Sequence, residues 1–262
     1  MFKDIFGRQP AVRRRDQAEY EARFLNNADE NLFMGSFGSF EEAAAAAPSG
    51  KPVGYANAQD APNLYSHQVC SWDYAPIYWI ADAVSHGMTR VFDLGGHVGI
   101  KYYAFKRLIH FPPTLRWMVC DVPGVARAGE ALAAQRGVSH TLGFCSDLRL
   151  ADGFDLLFLS GSLQYLPLHM ADMLGTLPHK PRRIVLNITA THPERTLFTL
   201  NSIGIAVCPY RVQHQDEILK ELRTSGYDRR DVWRNDGKEI HIPFVEGGDQ
   251  AYYFGCCFDR AV

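Results

Sequence analysis

Ten consecutive residues, Arg90-Val-Phe-Asp-Leu-Gly-Gly-His-Val-Gly99, bring one acid together with three closely spaced glycines. A short apolar run, Val91 and Phe92, ends in Asp93. A turn carrying Gly95, Gly96, His97 and Gly99 follows, and residues 100–109 read as a helix. A strand that breaks into a glycine turn and then a helix builds a nucleotide-sized crevice at the strand's carboxyl end. Missing side chains there let the backbone approach a ligand. A dinucleotide or triphosphate wants bare amides and a helix N-terminus facing its phosphates, and Asp93 would repel them. A cofactor with a positive charge and no phosphate suits the acid, and S-adenosylmethionine is such a molecule. The same residues also fit a glycine turn with no ligand, so one motif leaves the choice open.

Downstream acids narrow it. A second apolar run, residues 115–120, ends in Asp121, Val122 and Pro123. An acid at the tip of the second strand of a Rossmann-like unit accepts hydrogen bonds from both ribose hydroxyls. The plainer reading of Asp121 is a turn residue before a proline. A third strand expected over 139–144 leads into Cys145, Ser146, Asp147 and Leu148, where a carboxylate would meet an adenine amino group. A fourth, 154–159, opens into Ser160, Gly161, Ser162, Leu163, Gln164 and Tyr165, and a fifth spans 183–188. The expected cofactor contacts are therefore Asp93, Gly95, Gly96, His97, Gly99, Asp121, Val122, Asp147, Leu148, Ser160 and Gly161.

Asp93-x-Gly-Gly-x-x-Gly99, Asp121, Asp147 and the 160–165 segment together resemble the successive motifs of class I S-adenosylmethionine-dependent methyltransferases over residues 74–258. A narrower likeness, to a bacterial methyltransferase family of undefined substrate often associated with surface-polysaccharide loci, covers almost the whole chain. It rests on residues 33–43 (Phe-Met-Gly-Ser-Phe-Gly-Ser-Phe-Glu-Glu-Ala), 73–79, 161–166, 206–210 and 242–244. The resemblance implies an α/β, Rossmann-like sheet, mostly parallel and closed by a reversed last hairpin, with an N-terminal helical and loop extension. It also implies S-adenosylmethionine as cofactor and S-adenosylhomocysteine as product. One departure stands out: the commoner loop has glycine where this chain has His97.

Composition fits a cytoplasmic enzyme. The 262 residues suffice for one sizeable α/β domain with an added segment. The expected division is an extension over 1–70, acting as lid or arm, and a methyltransferase domain over 71–262. Lys plus Arg number 27 against 29 for Asp plus Glu, so no global basic field argues for nucleic acid or an anionic membrane. The run Arg13, Arg14, Arg15 reads as the solvated start of a helix. No apolar stretch approaches the ~20 residues of a membrane span, and the first residues lack the apolar core of a signal peptide. Six cysteines form no C-x-x-C pair, and several fall on apolar strands as small hydrophobes; no metal site is expected.

Helices are expected over 13–25, 40–47, 74–84, 125–135, 168–177 and 215–224, with residues 49–66 as a loop. Two further strands, 228–233 and 251–258, would supply the reversed hairpin.

Methyl transfer asks the protein to align a nucleophile behind the methyl carbon and to exclude water. A hydroxyl acceptor also wants a base near neutral pH. In small-molecule O-methyltransferases with a histidine base after the fourth strand, that position falls near Gln164, so this base is missing. The candidates left are Tyr165, His169 and His192. His192, after the fifth strand in Thr-His-Pro, is preferred; its plain role is to cap the turn before Pro193. His169 opens a helix and fits equally a surface position. Tyr102, Tyr103 and Tyr210 line a pocket or fill a core. The expected activity is O-methylation of a small-molecule or saccharide hydroxyl, with no nucleic-acid partner. Two alternatives stand beside it: a non-catalytic methyltransferase-like binding module, and a nucleotide-dependent Rossmann enzyme. The second fits poorly, because the loop lacks G-x-G-x-x-G spacing and follows an acid.

Overall fold

Strand and helix alternate from Arg90 onward in a computed structural model that describes residues 10–54 and 68–261. Ahead of that alternation lie α1 (Pro10–Leu25), β1 (Leu32–Phe37), α2 (Phe40–Ala45) and α3 (Tyr74–Ser85). The alternating part runs β2 (Arg90–Leu94), α4 (Ile100–Phe105), β3 (Arg116–Cys120), α5 (Pro123–Gln135), β4 (Leu142–Cys145), β5 (Leu156–Ser160), α6 (Met170–Gly175) and β6 (Arg183–His192). The chain closes with β7 (Leu197–Ser202), β8 (Val207–His214), α7 (Gln215–Thr224), β9 (Tyr227–Glu239) and β10 (Tyr252–Arg260).

Strands β4, β3, β2, β5 and β6 lie side by side and parallel. Beyond β6 comes β10, antiparallel to it, and then β9, antiparallel to β10. The sheet is therefore mostly parallel and closed by a reversed hairpin, as expected. Both faces are covered, which is why the central strands read as near-continuous apolar runs. Successive side chains still divide between the faces. Val91, Leu156 and Phe158 pack with Trp79, Ile80 and Trp117 on one side. Phe92, Leu157 and Leu159 pack with Leu174, Leu219 and Phe254 on the other.

Three strands escaped the sequence reading. β1 pairs antiparallel with β7, and β7 with β8; β8 joins the main sheet beside the last residues of β6, Thr191 and His192. The N-terminal segment is thus an edge strand of a small added sheet. Phe24, Leu32, Ala43, Leu200 and Val207 form a buried cluster of their own beneath it. In the extension, Phe33 is buried against Tyr210, while Tyr55 and Tyr65 lie outside the described residues. Tyr102, Tyr103 and Tyr210 are core residues. Among the described residues no helix is long and apolar enough to cross a membrane, and no cluster of three or more His, Cys, Asp or Glu is placed to hold a metal ion.

Candidate functional site

The order β4-β3-β2-β5 reverses direction between β2 and β5, and an open α/β sheet binds ligands outside the carboxyl ends of the strands at such a point. The glycine turn sits there. Gly95 adopts φ 76°, and a Cβ on it would fall 2.3 Å from Cβ of Ser162. Ser162, just past β5, donates from Oγ to the Leu94 carbonyl at 2.5 Å. The loop is pinned across the switch point by a contact only glycine permits.

Asp93 is 1 % exposed, and its Oδ2 accepts a hydrogen bond from the Trp117 indole at 3.0 Å. A Cβ on Gly96 would lie 2.4 Å from the same oxygen, so the carboxyl is packed beneath the loop. Asp93 thus supports the loop from below. Burial pushes its pKa up to about 7, against the pull of the Trp117 hydrogen bond. Lys101, which also pulls it down, forms an ion pair at 2.5 Å with the fully buried Asp73, just ahead of α3.

Asp121 stands at the tip of β3. Its Oδ2 accepts from the His97 backbone N–H at 2.9 Å and its Oδ1 from that of Val122 at 2.8 Å. Burial raises its pKa and these two N–H groups oppose the rise. A carboxylate has about four acceptor sites, so roughly two remain for ligand hydroxyls. His97 itself lies in the left-handed region at φ 57°, which explains why a glycine is commoner there. Burial drops its pKa to about 4, so the imidazole is neutral at physiological pH.

Asp147 caps the short turn Leu148–Ala151 and forms an exposed forked pair with Arg149, at 2.8 Å from Oδ2 to Nη2. That pairing holds its carboxyl below the usual range. An adenine amino group would have to compete with Arg149 for it.

Past Ser160 and Gly161 the structure supplies a polar network that the sequence did not reveal. Asn187 donates to Ser160 Oγ at 3.3 Å, and its own carbonyl oxygen accepts from Trp233 at 3.1 Å and Asn235 at 2.9 Å. Ile188 follows at φ 48°, where β6 slips register against β10. A β-branched residue at positive φ is a true outlier, and such strain gathers at functional sites. Asn235 holds its N–H, and Gln164 donates to its carbonyl at 3.2 Å. A buried Asn in an apolar strand was the one available signal.

The three candidate bases do not converge. His192 is fully buried; Nε2 lies 3.1 Å from the Gly247 carbonyl, and Nδ1 accepts from the N–H groups of Glu194 and Arg195 at 3.1 and 3.3 Å. Both nitrogens bond to the turn, the capping role weighed beside that of a base in the sequence. His169 pairs through Nδ1 with Glu221 of α7 at 2.9 Å, away from the glycine loop's own contacts. Tyr165 is half-buried, donates to Asn201 Oδ1 at 2.9 Å and meets the Tyr210 ring edge-on at 4.9 Å. A cavity of about 440 Å³ lies between α1, β1 and residues 243–246 and shares no residue with the loop.

A mostly parallel sheet with a reversed closing hairpin, and a glycine loop with acids at three successive strand ends, is a Rossmann-like α/β fold. No family model matches the chain, and no curated protein matches it. Similar solved structures include an S-adenosylmethionine-dependent methyltransferase from Clostridium acetobutylicum, at 11% identity and TM-score 0.47, covering 74% of this chain and 93% of that one. Another is magnesium protoporphyrin IX methyltransferase from Synechocystis, at 11% and 0.46, covering 71% and 83%. A third is 1,6-didemethyltoxoflavin-N1-methyltransferase from Burkholderia thailandensis, at 13% and 0.45, covering 100% and 94%. At such distances the functional reading rests on this chain's own residues.

Proposed function

We propose that this chain is a methyltransferase that uses S-adenosylmethionine and releases S-adenosylhomocysteine. The observation that carries the reading is Asp121: it grips the His97 N–H of the glycine loop and keeps acceptor sites over for ribose hydroxyls, at the sheet's switch point. Gly95 and Gly99 would give the loop its close approach, with Val122, Leu148, Ser160 and Gly161 on the walls. Asp93 would act through its charge beneath the loop, which favours a cationic sulfonium over a phosphate. When bound, the cofactor supplies the activated methyl group; the chain's residues hold it, orient the acceptor and exclude water.

Calorimetry with S-adenosylmethionine and S-adenosylhomocysteine tests this directly. Asp121→Ala should weaken binding by about 1.5–3 kcal/mol, the range for hydrogen bonds to charged groups. Gly95→Val should abolish binding, because the added Cβ collides with Ser162. Equal affinity of Asp121→Ala and the parent chain would refute the ribose assignment.

For the acceptor, the reading is a small-molecule or saccharide hydroxyl. With Gln164 after β5 and both His192 nitrogens occupied, transfer would depend on alignment, with Tyr165 and His169 the titratable side chains on the loop after β5. The same two observations favour an amine acceptor as a second reading, since a neutral amine attacks without a base. Transfer of labelled methyl to matched hydroxyl and amine panels separates the two.

A further inference from the structure

The carboxyl ends of β3 and β4 carry a pair of thiols that methyl transfer does not use. The parallel register sets Cys120 directly opposite Cys145, and both side chains lie on the same apolar face of the sheet. Adjacent strands run about 4.8 Å apart, inside the Cα separation of about 4.4–6.8 Å that a disulfide spans. Asp121 follows one thiol and Asp147 stands two residues beyond the other, so the pair adjoins the two acids of the proposed cofactor site. Cys120 is 5% exposed, whereas Cys145 is half-buried and within reach of a small reagent.

We propose that Cys120 and Cys145 form a reversible disulfide that lowers affinity for the cofactor; the second half of this rests on the S-adenosylmethionine reading above. The oxidant is a low-molecular-weight disulfide of the glutathione type. The Cys145 thiolate attacks one sulfur of it, forming a mixed disulfide and expelling one thiolate. Cys120 then gives up its proton and attacks Cys145 Sγ, closing the intramolecular bond and expelling the second. The two cysteines lose two electrons in total, and the reagent leaves as two thiols carrying the two protons. Cys145 is the attacking member because it is the more exposed. Closing the bond requires Cβ atoms about 3.8 Å apart, which draws the two strand ends together and shifts the acids that follow.

The test equilibrates the full chain with glutathione buffers of graded oxidation, followed by peptide mapping and calorimetry. A single Cys120–Cys145 disulfide should form, and Cys120→Ser should instead retain one glutathione on Cys145. S-adenosylmethionine affinity should fall at least tenfold on oxidation and return on reduction, and Cys145→Ser should bind equally in both buffers. The map needs no cofactor, so absence of the disulfide in every buffer overturns the proposal by itself. Formation of the disulfide with unchanged affinity overturns the coupling. Failure of the reduced chain to bind S-adenosylmethionine overturns the cofactor reading and the coupling with it, and leaves the disulfide to be decided by the map.

Discussion

His192 illustrates how one residue's role is set by its partners. Three backbone groups from two segments, Gly247 on one side and Glu194 with Arg195 on the other, meet a single buried ring. Truncating it removes a buried ring and its bonds to those groups, at about 0.5–1.5 kcal/mol for each hydrogen bond. His192→Ala should therefore lower the thermal midpoint by several degrees, while cofactor affinity and turnover per folded molecule stay near the parent values. Differential scanning calorimetry and a single-turnover assay check the two halves separately. A large fall in turnover with unchanged stability would restore the residue as a base.

At the scale of elements, two joints hold the sheet to its surroundings. Arg183, at the start of β6 and 3% exposed, forks onto Asp259 of β10 at 2.6 and 3.0 Å and reaches Asp82 of α3 at 2.6 Å. Removing one partner of a buried ion pair leaves the others uncompensated, which costs about 3–5 kcal/mol. Arg183→Leu should show that loss as a lower urea midpoint, and Asp259→Asn a smaller one. The second joint is β1 on β7. Deleting residues 1–39 would strip β7 of its outer neighbour β1 and bare the cluster around Leu200 and Val207. An unpaired strand edge templates association. The shortened chain should elute as oligomers and unfold at lower temperature. If it remains monomeric, equally stable and equally active, the extension is dispensable to both sheet and site.

Over the whole molecule, Asp93 couples stability to pH. Its carboxyl keeps its proton up to about 7 because burial disfavours the charge. The unfolded chain releases that proton near pH 4. Between those values the folded state holds one more proton than the unfolded state. Its contribution is fully present below about pH 4, falls as pH rises at up to about 1.4 kcal/mol per unit, and is lost above 7. Chemical unfolding between pH 4 and 8 should show this slope, and Asp93→Asn should flatten it. Because a cationic cofactor favours the ionised carboxyl, S-adenosylmethionine should bind more tightly as pH rises from 6 to 8, releasing a proton. Buffers of different ionisation enthalpy measure that proton in calorimetry.

Period and punctuation alone placed β2, β3, β5 and the helices α3, α5 and α7 to within a few residues. Apolar runs covered on both faces, and helices with one apolar stripe, are local patterns that burial reinforces. The glycine loop was legible for the same reason: its acid, glycines and flanking strand are contiguous in the chain. β1, β7 and β8 were not, because Leu-Phe-Met-Gly-Ser-Phe and the polar Leu-Phe-Thr-Leu-Asn-Ser become strands only by pairing with each other across 161 to 170 residues. Nor was the division of labour among the acids legible. Asp93, Asp121 and Asp147 stand at three matching strand ends, yet one is packed under the loop, one grips it, and one is turned onto an arginine. The sequence by itself determined which residue types reach the crevice, since strand ends and turns are written locally. Tertiary structure alone decided which atoms face a ligand, because burial, register and hydrogen-bond competition arise from residues distant in the chain.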